Sequence, residues 1–127
     1  MTADVPLPLE QAWIRALQAL ALQGVTITTS DKQSGVIQFN GSYQGQAGLF
    51  SCPRSAGAVV KEVYSGSLVV RAAGDSASSV SIQSSGVETR SIYRHFVVIR
   101  TSRVFHDTNC MSTGKLEQSL LQRLTGP

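Results

Sequence analysis

Leu68-Val69-Val70-Arg71-Ala72-Ala73-Gly74-Asp75-Ser76-Ala77-Ser78-Ser79-Val80-Ser81-Ile82-Gln83 reads as strand, turn and strand. Leu68, Val69, Val70 and Ala72 are apolar, and the two valines are β-branched, which suits a pleated surface. Gly74-Asp75 is a turn signal. Beyond it Val80 and Ile82 alternate with Ser79, Ser81 and Gln83, so one face is apolar and the other is coated with serine. The serine-biased run from Ser76 to Ser85 therefore belongs to a strand rather than to a disordered linker.

Towards the C-terminus, Ser84-Ser85-Gly86 reads as another turn. Glu88 to Phe105 is the longest extended stretch, either one long strand or two with a bulge. Phe96, Val97, Val98 and Ile99 make it apolar on both faces, as in a central strand. Ser112 or Thr113 caps a helix whose apolar stripe is Leu116, Leu120, Leu121 and Leu124, and Gly126 ends it. Towards the N-terminus, Val59 to Tyr64 fits a short strand or a helical turn, and 45–53 reads as a loop. Ile37 and Phe39 share one face, with Gln38 and Asn40 on the other. Asn40-Gly41 is a turn signal that either joins two short strands or lies inside one. Asp31 to Gly35 is a turn, and Val25, Ile27 and Thr29 form the strand before it. Leu9, Trp13, Ala16, Leu17 and Leu20 recur at helical steps, and Gly24 is a stop that tolerates the left-handed conformation, so a helix spans 9–23. Trp13 on that stripe reads as core. Residues 1–8, with Pro6 and Pro8, read as a flexible tether, and 9–125 as a single domain.

The order helix, antiparallel strands, helix predicts a two-layer α+β fold. Four to six strands form the sheet, and the N-terminal and C-terminal helices pack on it, because each helix has one apolar stripe to bury. The chain has 127 residues, enough for one core without a metal. Charged residues are only 15% of it and the net charge is +3, a footprint too weak for a nucleic-acid binder. No run approaches the roughly 18 consecutive apolar residues that span a bilayer. The opening residues hold no charged segment leading into an apolar one, so the chain as it stands reads as soluble.

Cys52 and Cys110 are the two cysteines, an even count that favours one disulfide and an oxidising compartment over two separate thiols. Closing a loop of that length stabilises a fold by about 4 kcal/mol in the chain-entropy model.

His106 stands beside Asp107, but neighbours on a strand point to opposite faces, so the pair is not arranged as a relay. His106 also lies four residues before Cys110, and a thiolate beside an imidazole is a nucleophile unless the sulfur is bridged. His106, Asp107 and Cys110 lack any metal-ligand spacing. Gly41, Gly45 and Gly48 match neither nucleotide-loop pattern. Asn40-Gly41-Ser42 is a glycosylation acceptor only in a eukaryotic secretory pathway. No catalytic residue, metal or cofactor is expected. The surface of most interest is a stripe of Arg90, Arg94, Phe96 and Arg100, where arginines flank apolar side chains as in protein or polyanion contacts. The bland reading of the same stripe is a solvated face whose apolar centre lies under a helix.

Trp13, Leu17, Leu20, Gly24, Ile27, Asp31 and Gly35-Val36-Ile37 resemble the repeating domains of the C-component lipoprotein of the β-barrel assembly machinery in Gram-negative outer membranes. Cys110-Met111-Ser112-Thr113-Gly114-Lys115-Leu116-Glu117 is similar to the ending of small Gram-negative envelope lipoproteins of unknown function. These residues cover under a third of the chain. The resemblance implies a non-enzymatic lipoprotein domain facing the periplasm. No lipobox cysteine stands at the start, one such domain fills the length, and no functional residue carries over. Membrane contact would then run only through a lipid anchor outside these residues.

The expected function is a non-catalytic binding or structural module of the bacterial cell envelope, exported to the periplasm or outer membrane or secreted, with an envelope protein or polyanionic polymer as partner. The alternatives are a small hydrolase or thiol enzyme using His106, and a secreted binder of anionic ligands using the arginine stripe.

Overall fold

A computed structural model describes residues 1–43, 48–53, 57–96 and 100–125, and the side chains of 93–96 and 100–103 fall outside it. Among the described residues the elements run β1 (Thr2–Val5), α1 (Leu9–Gln23), β2 (Thr26–Asp31), β3 (Val36–Ser42), β4 (Phe50–Ser51), β5 (Ala58–Ala72), β6 (Ser78–Phe96), β7 (Arg100–Ser112) and α2 (Lys115–Thr125). All seven strands join one antiparallel sheet in the order β2-β3-β5-β6-β7-β4, with β1 paired to β6. The two-layer α+β arrangement is as expected, with more strands than the four to six anticipated.

The central hairpin is β5–β6, with Leu68 opposite Ile82 and Val70 opposite Val80. These four side chains are buried with Ile37 and Phe39 of β3. The helices cover this end of the sheet. α1 follows Pro8 and ends at Gly24, whose φ of 79° is the left-handed conformation of a helix stop. Its buried residues are Ala12, Trp13, Ala16, Ala19 and Leu20. The buried face is thus rotated from the expected stripe: Leu9 is exposed and Leu17 only half-buried. α2 buries Leu116, Leu120, Leu121 and Leu124 as expected. Full burial of such a leucine contributes roughly 1.5–3 kcal/mol. Arg15 of α1 donates from Nη1 to the Leu124 carbonyl at 3.3 Å, tying α1 to one of the last carbonyls of α2.

Glu117 secures the other end of α2. Its carboxylate is 4% exposed, accepts from Ser112 Oγ at 2.7 and 2.8 Å, and also accepts from Ser84 Oγ. Ser112 in turn accepts the Gly114 N–H at 3.1 Å. Neither Ser112 nor Thr113, expected as the helix cap, holds that position: α2 starts at Lys115, the Gly114 carbonyl accepts the Gln118 N–H at 2.9 Å, and the Thr113 hydroxyl turns to the carbonyls of Gly48 and Leu49.

Several sequence expectations change. Residues 2–5, read as tether, are β1: Val5 is fully buried, and the Met1 terminal amine donates to the Ile82 carbonyl at 3.0 Å. The two prolines bar a helix there, but they leave the extended backbone free to add to a sheet. Ser84-Ser85-Gly86, read as a turn, lies inside β6, while Asn40-Gly41 lies inside β3, the second of the two readings open for it. Val59 to Tyr64 is strand, continuous with Leu68. The stretch 88–105 is two strands folded back on each other, with Phe96 paired to Arg100.

β6 has 19 residues, about 60 Å of strand, whereas the 15 residues of α1 span about 22 Å. The helices therefore leave much of the sheet uncovered. Beyond them the chain between β3 and β5 acts as a strap. It leaves β3 at Tyr43, crosses to the far edge, where Phe50 and Ser51 pair with Ser112 and Met111, and returns to open β5 opposite Ser91. The Cys52–Cys110 disulfide ties this strap to β7. Under it Tyr43, Phe50 and Tyr64 form an aromatic cluster, with Phe50 and Tyr64 stacked at 5.5 Å.

Candidate functional site

On the face turned away from the helices, strand alternation stacks polar side chains across three strands. Gln38 of β3 is opposite Ser67 of β5, which is opposite Gln83 of β6. One step along, Asn40 is opposite Ser65, which is opposite Ser85. Two transverse rows result, amide–hydroxyl–amide and amide–hydroxyl–hydroxyl. They line an open groove of about 470 Å³. Thr28, at the shift in register between β2 and β3, forms its side wall and donates to the Gln38 carbonyl at 3.2 Å. None of the lining residues is charged. Amides and hydroxyls both donate and accept, so the groove can match a ligand of the same kind, dense in hydroxyl and amide groups. It offers no opposite charge to an ionic ligand.

The other notable cluster lies on the helix side, beyond the aromatic cluster. Glu62 and Glu88 face each other directly across β5 and β6. Arg90 donates from Nε to Glu88 Oε1 at 2.6 Å and from Nη1 to the Gly57 carbonyl at 2.9 Å, with side chains 23% and 8% exposed for Arg90 and Glu88. Glu62 Oε2 is buried with no hydrogen-bond partner among the described residues. Burial pushes the Tyr43 phenol above its ordinary value, and the charges of Glu62 and Glu88 add to the shift. Burial alone does the same to Tyr64. Tyr43 Oη lies 3.5 Å from both disulfide sulfurs.

These positions sort the residues singled out from sequence. Arg90 is held by Glu88 and the Gly57 carbonyl, so its guanidinium braces the strap's return to β5. The side chains of Arg94, Phe96 and Arg100 lie outside the described residues. The backbone places Arg94 opposite Ser102 and Phe96 opposite Arg100, so Arg94 and Arg100 sit on adjacent strands and not along a single one. His106 is opposite Arg90, while Asp107 is opposite Thr89 on the other face and accepts its hydroxyl at 2.5 Å. The alternation that argued against a His106–Asp107 relay thus holds. Cys110 is bridged, so no thiolate stands near His106. Among the described residues no group of three His, Cys, Asp or Glu side chains converges as metal ligands, and no helix is long and apolar enough to cross a membrane.

Sequence reading missed the groove. It placed Ser84-Ser85-Gly86 in a turn and assigned Ser65 to Ser67 to nothing, so the partners of Gln38 and Asn40 were invisible. The signal that was present is the alternation of polar residues along 38–40 and 79–83.

No family model, no curated protein and no solved structure matches this chain.

Proposed function

We propose that the chain is a non-catalytic binding module of the bacterial cell envelope, and that its groove holds an uncharged, hydroxyl- and amide-rich polymer, a glycan strand. The observation that carries this reading is the pair of transverse polar rows: six amide and hydroxyl side chains in register across three strands, with no charge among the residues lining the groove. Such a surface exchanges hydrogen bonds with water for hydrogen bonds with a sugar at little net gain per contact, so affinity must come from several contacts at once. An extended polymer lying across the strands supplies them. The disulfide is compatible with an oxidising compartment, and the partial resemblance to envelope lipoproteins points to the same place.

Titration of labelled protein with an uncharged N-acetylhexosamine oligosaccharide, followed by amide chemical shifts, tests the proposal. The expected shifts cluster on Gln38, Ser67 and Gln83, change little with salt, and disappear in Gln83→Ala combined with Ser67→Ala. Failure to bind this probe, with steeply salt-dependent binding of a sulfated polymer that Arg94→Ala or Arg100→Ala weakens, would instead identify a polyanion binder.

A further inference from the structure

The groove is flanked by apolar residues on both sides. One step before the Gln38–Ser67–Gln83 row, Val36 of β3 is opposite Val69 of β5. One step beyond the Asn40–Ser65–Ser85 row, Val63 of β5 is opposite Val87 of β6. All four valines are half-buried. Their strand neighbours Ile37, Leu68, Tyr64 and Glu88 are buried on the helix side, so alternation turns the valines to the groove face. Farther out that face is charged again: Arg71 and Lys61 follow along β5, and Asp31 lies beside Val36 at the sheet edge. The face is thus banded, with two polar rows between two valine shelves.

We infer, resting on the glycan reading of the groove, that the shelves receive the acetamido methyls of a β-1,4-linked N-acetylhexosamine chain lying across the strands. At about 3.4 Å per residue the polar rows stand about 3.4 Å to either side of the groove's midline, and the valines about 10 Å. Polar groups near the chain axis therefore face Gln38, Asn40, Ser65, Ser67, Gln83 and Ser85. Only a substituent that reaches past the ring edge meets a valine, and an acetamido group does so and ends in a methyl. The shelves are also staggered. One lies between β3 and β5 and the other between β5 and β6, an offset of one strand spacing, about 4.8 Å. In a β-1,4-linked chain each pyranose is turned over relative to the last. Its acetamido groups project to alternate sides, one sugar further along each time, and an advance of one sugar is close to one strand spacing. Successive methyls thus reach opposite shelves. A chain of plain hexoses fills the polar rows and leaves both shelves wet.

Titration of protein labelled at its backbone amides and valine methyls tests this, with the β-1,4-linked tetramers of N-acetylglucosamine and of glucose as the two probes. The acetylated tetramer is expected to shift the methyls of Val36, Val69, Val63 and Val87. It should bind about tenfold tighter than the glucose tetramer, at about fourfold for each methyl buried. Val63→Thr with Val69→Thr keeps the side-chain shape, replaces a methyl on each shelf by a hydroxyl, and should bring the two affinities together. Equal binding of the two tetramers by the wild type, with shifts on Gln38, Ser67 and Gln83, overturns the shelves and leaves the glycan groove standing. A preference for the acetylated tetramer that survives in the double variant also overturns them, as does tighter binding that leaves the wild-type valine methyls unmoved. Binding of neither tetramer overturns the groove and the shelves together. The wild-type comparison needs no variant, so it decides even where the double variant does not fold.

Discussion

Three glycines in the middle of strands make room for aromatic rings. A Cβ on Gly66 would come within 2.6 Å of the Phe39 ring and 2.6 Å of the Gln83 carbonyl. One on Gly86 would come 3.0 Å from the Phe50 ring, and one on Gly41 2.7 Å from the Tyr64 ring. From the sequence, Gly41 and Gly86 signalled turns, because a glycine beside asparagine or serine most often marks one. The competing cause, a ring leaning over the strand from elsewhere in the chain, cannot be seen locally. Gly66→Ala is expected to destabilise the fold by about 1–3 kcal/mol through overpacking. Urea denaturation measures it, and an unchanged midpoint would mean that Phe39 moves aside freely. Arg90 teaches the same lesson. Its sequence neighbourhood marks it as part of a basic surface, but Glu88, two residues away on the same strand face, takes its charge.

At the level of elements, the helices and the central hairpin were legible because their periodicity is local. The strap was not. Its two-residue strand is too short for a pattern, and its course across the sheet depends on an aromatic cluster and a cross-link between distant residues. The disulfide closes a separation of 58 residues, and removing it should cost about 4 kcal/mol on the chain-entropy estimate. The Cys52→Ser, Cys110→Ser double variant tests the size and the place of this effect. Denaturant unfolding should show the loss. Hydrogen exchange should rise first around Phe50, Ser51 and the Ala58 end of β5, with α1 and the Leu68–Ile82 region opening last. Uniform acceleration through α1 would mean that the strap is not a separate unit of stability.

For the molecule as a whole, the raised phenol values of Tyr43 and Tyr64 set an alkaline limit. In the unfolded chain both titrate near about 10. In the fold both are raised, chiefly by burial. Below the unfolded value both states hold the proton and stability is unaffected. Above it the unfolded state loses protons that the folded state keeps, so stability falls as pH rises from about 10 towards the folded values. Melting temperature against pH should therefore bend downward near pH 10. Tyr43→Phe with Tyr64→Phe should flatten that bend, and a bend of equal depth in the double variant would assign it to other groups.

What the sequence by itself determined is the class of fold and the cross-link. One apolar stripe at each end of the chain, alternating strands between them and a single pair of cysteines admit few arrangements that bury every apolar face. What only the tertiary structure decided is which residues meet. Strand register sets the polar rows of Gln38–Ser67–Gln83 and Asn40–Ser65–Ser85, recruits residues 2–5 into the sheet and folds 88–105 into a hairpin. The physical reason is that periodicity reports which face a side chain occupies, whereas register depends on pairings between residues far apart in the chain.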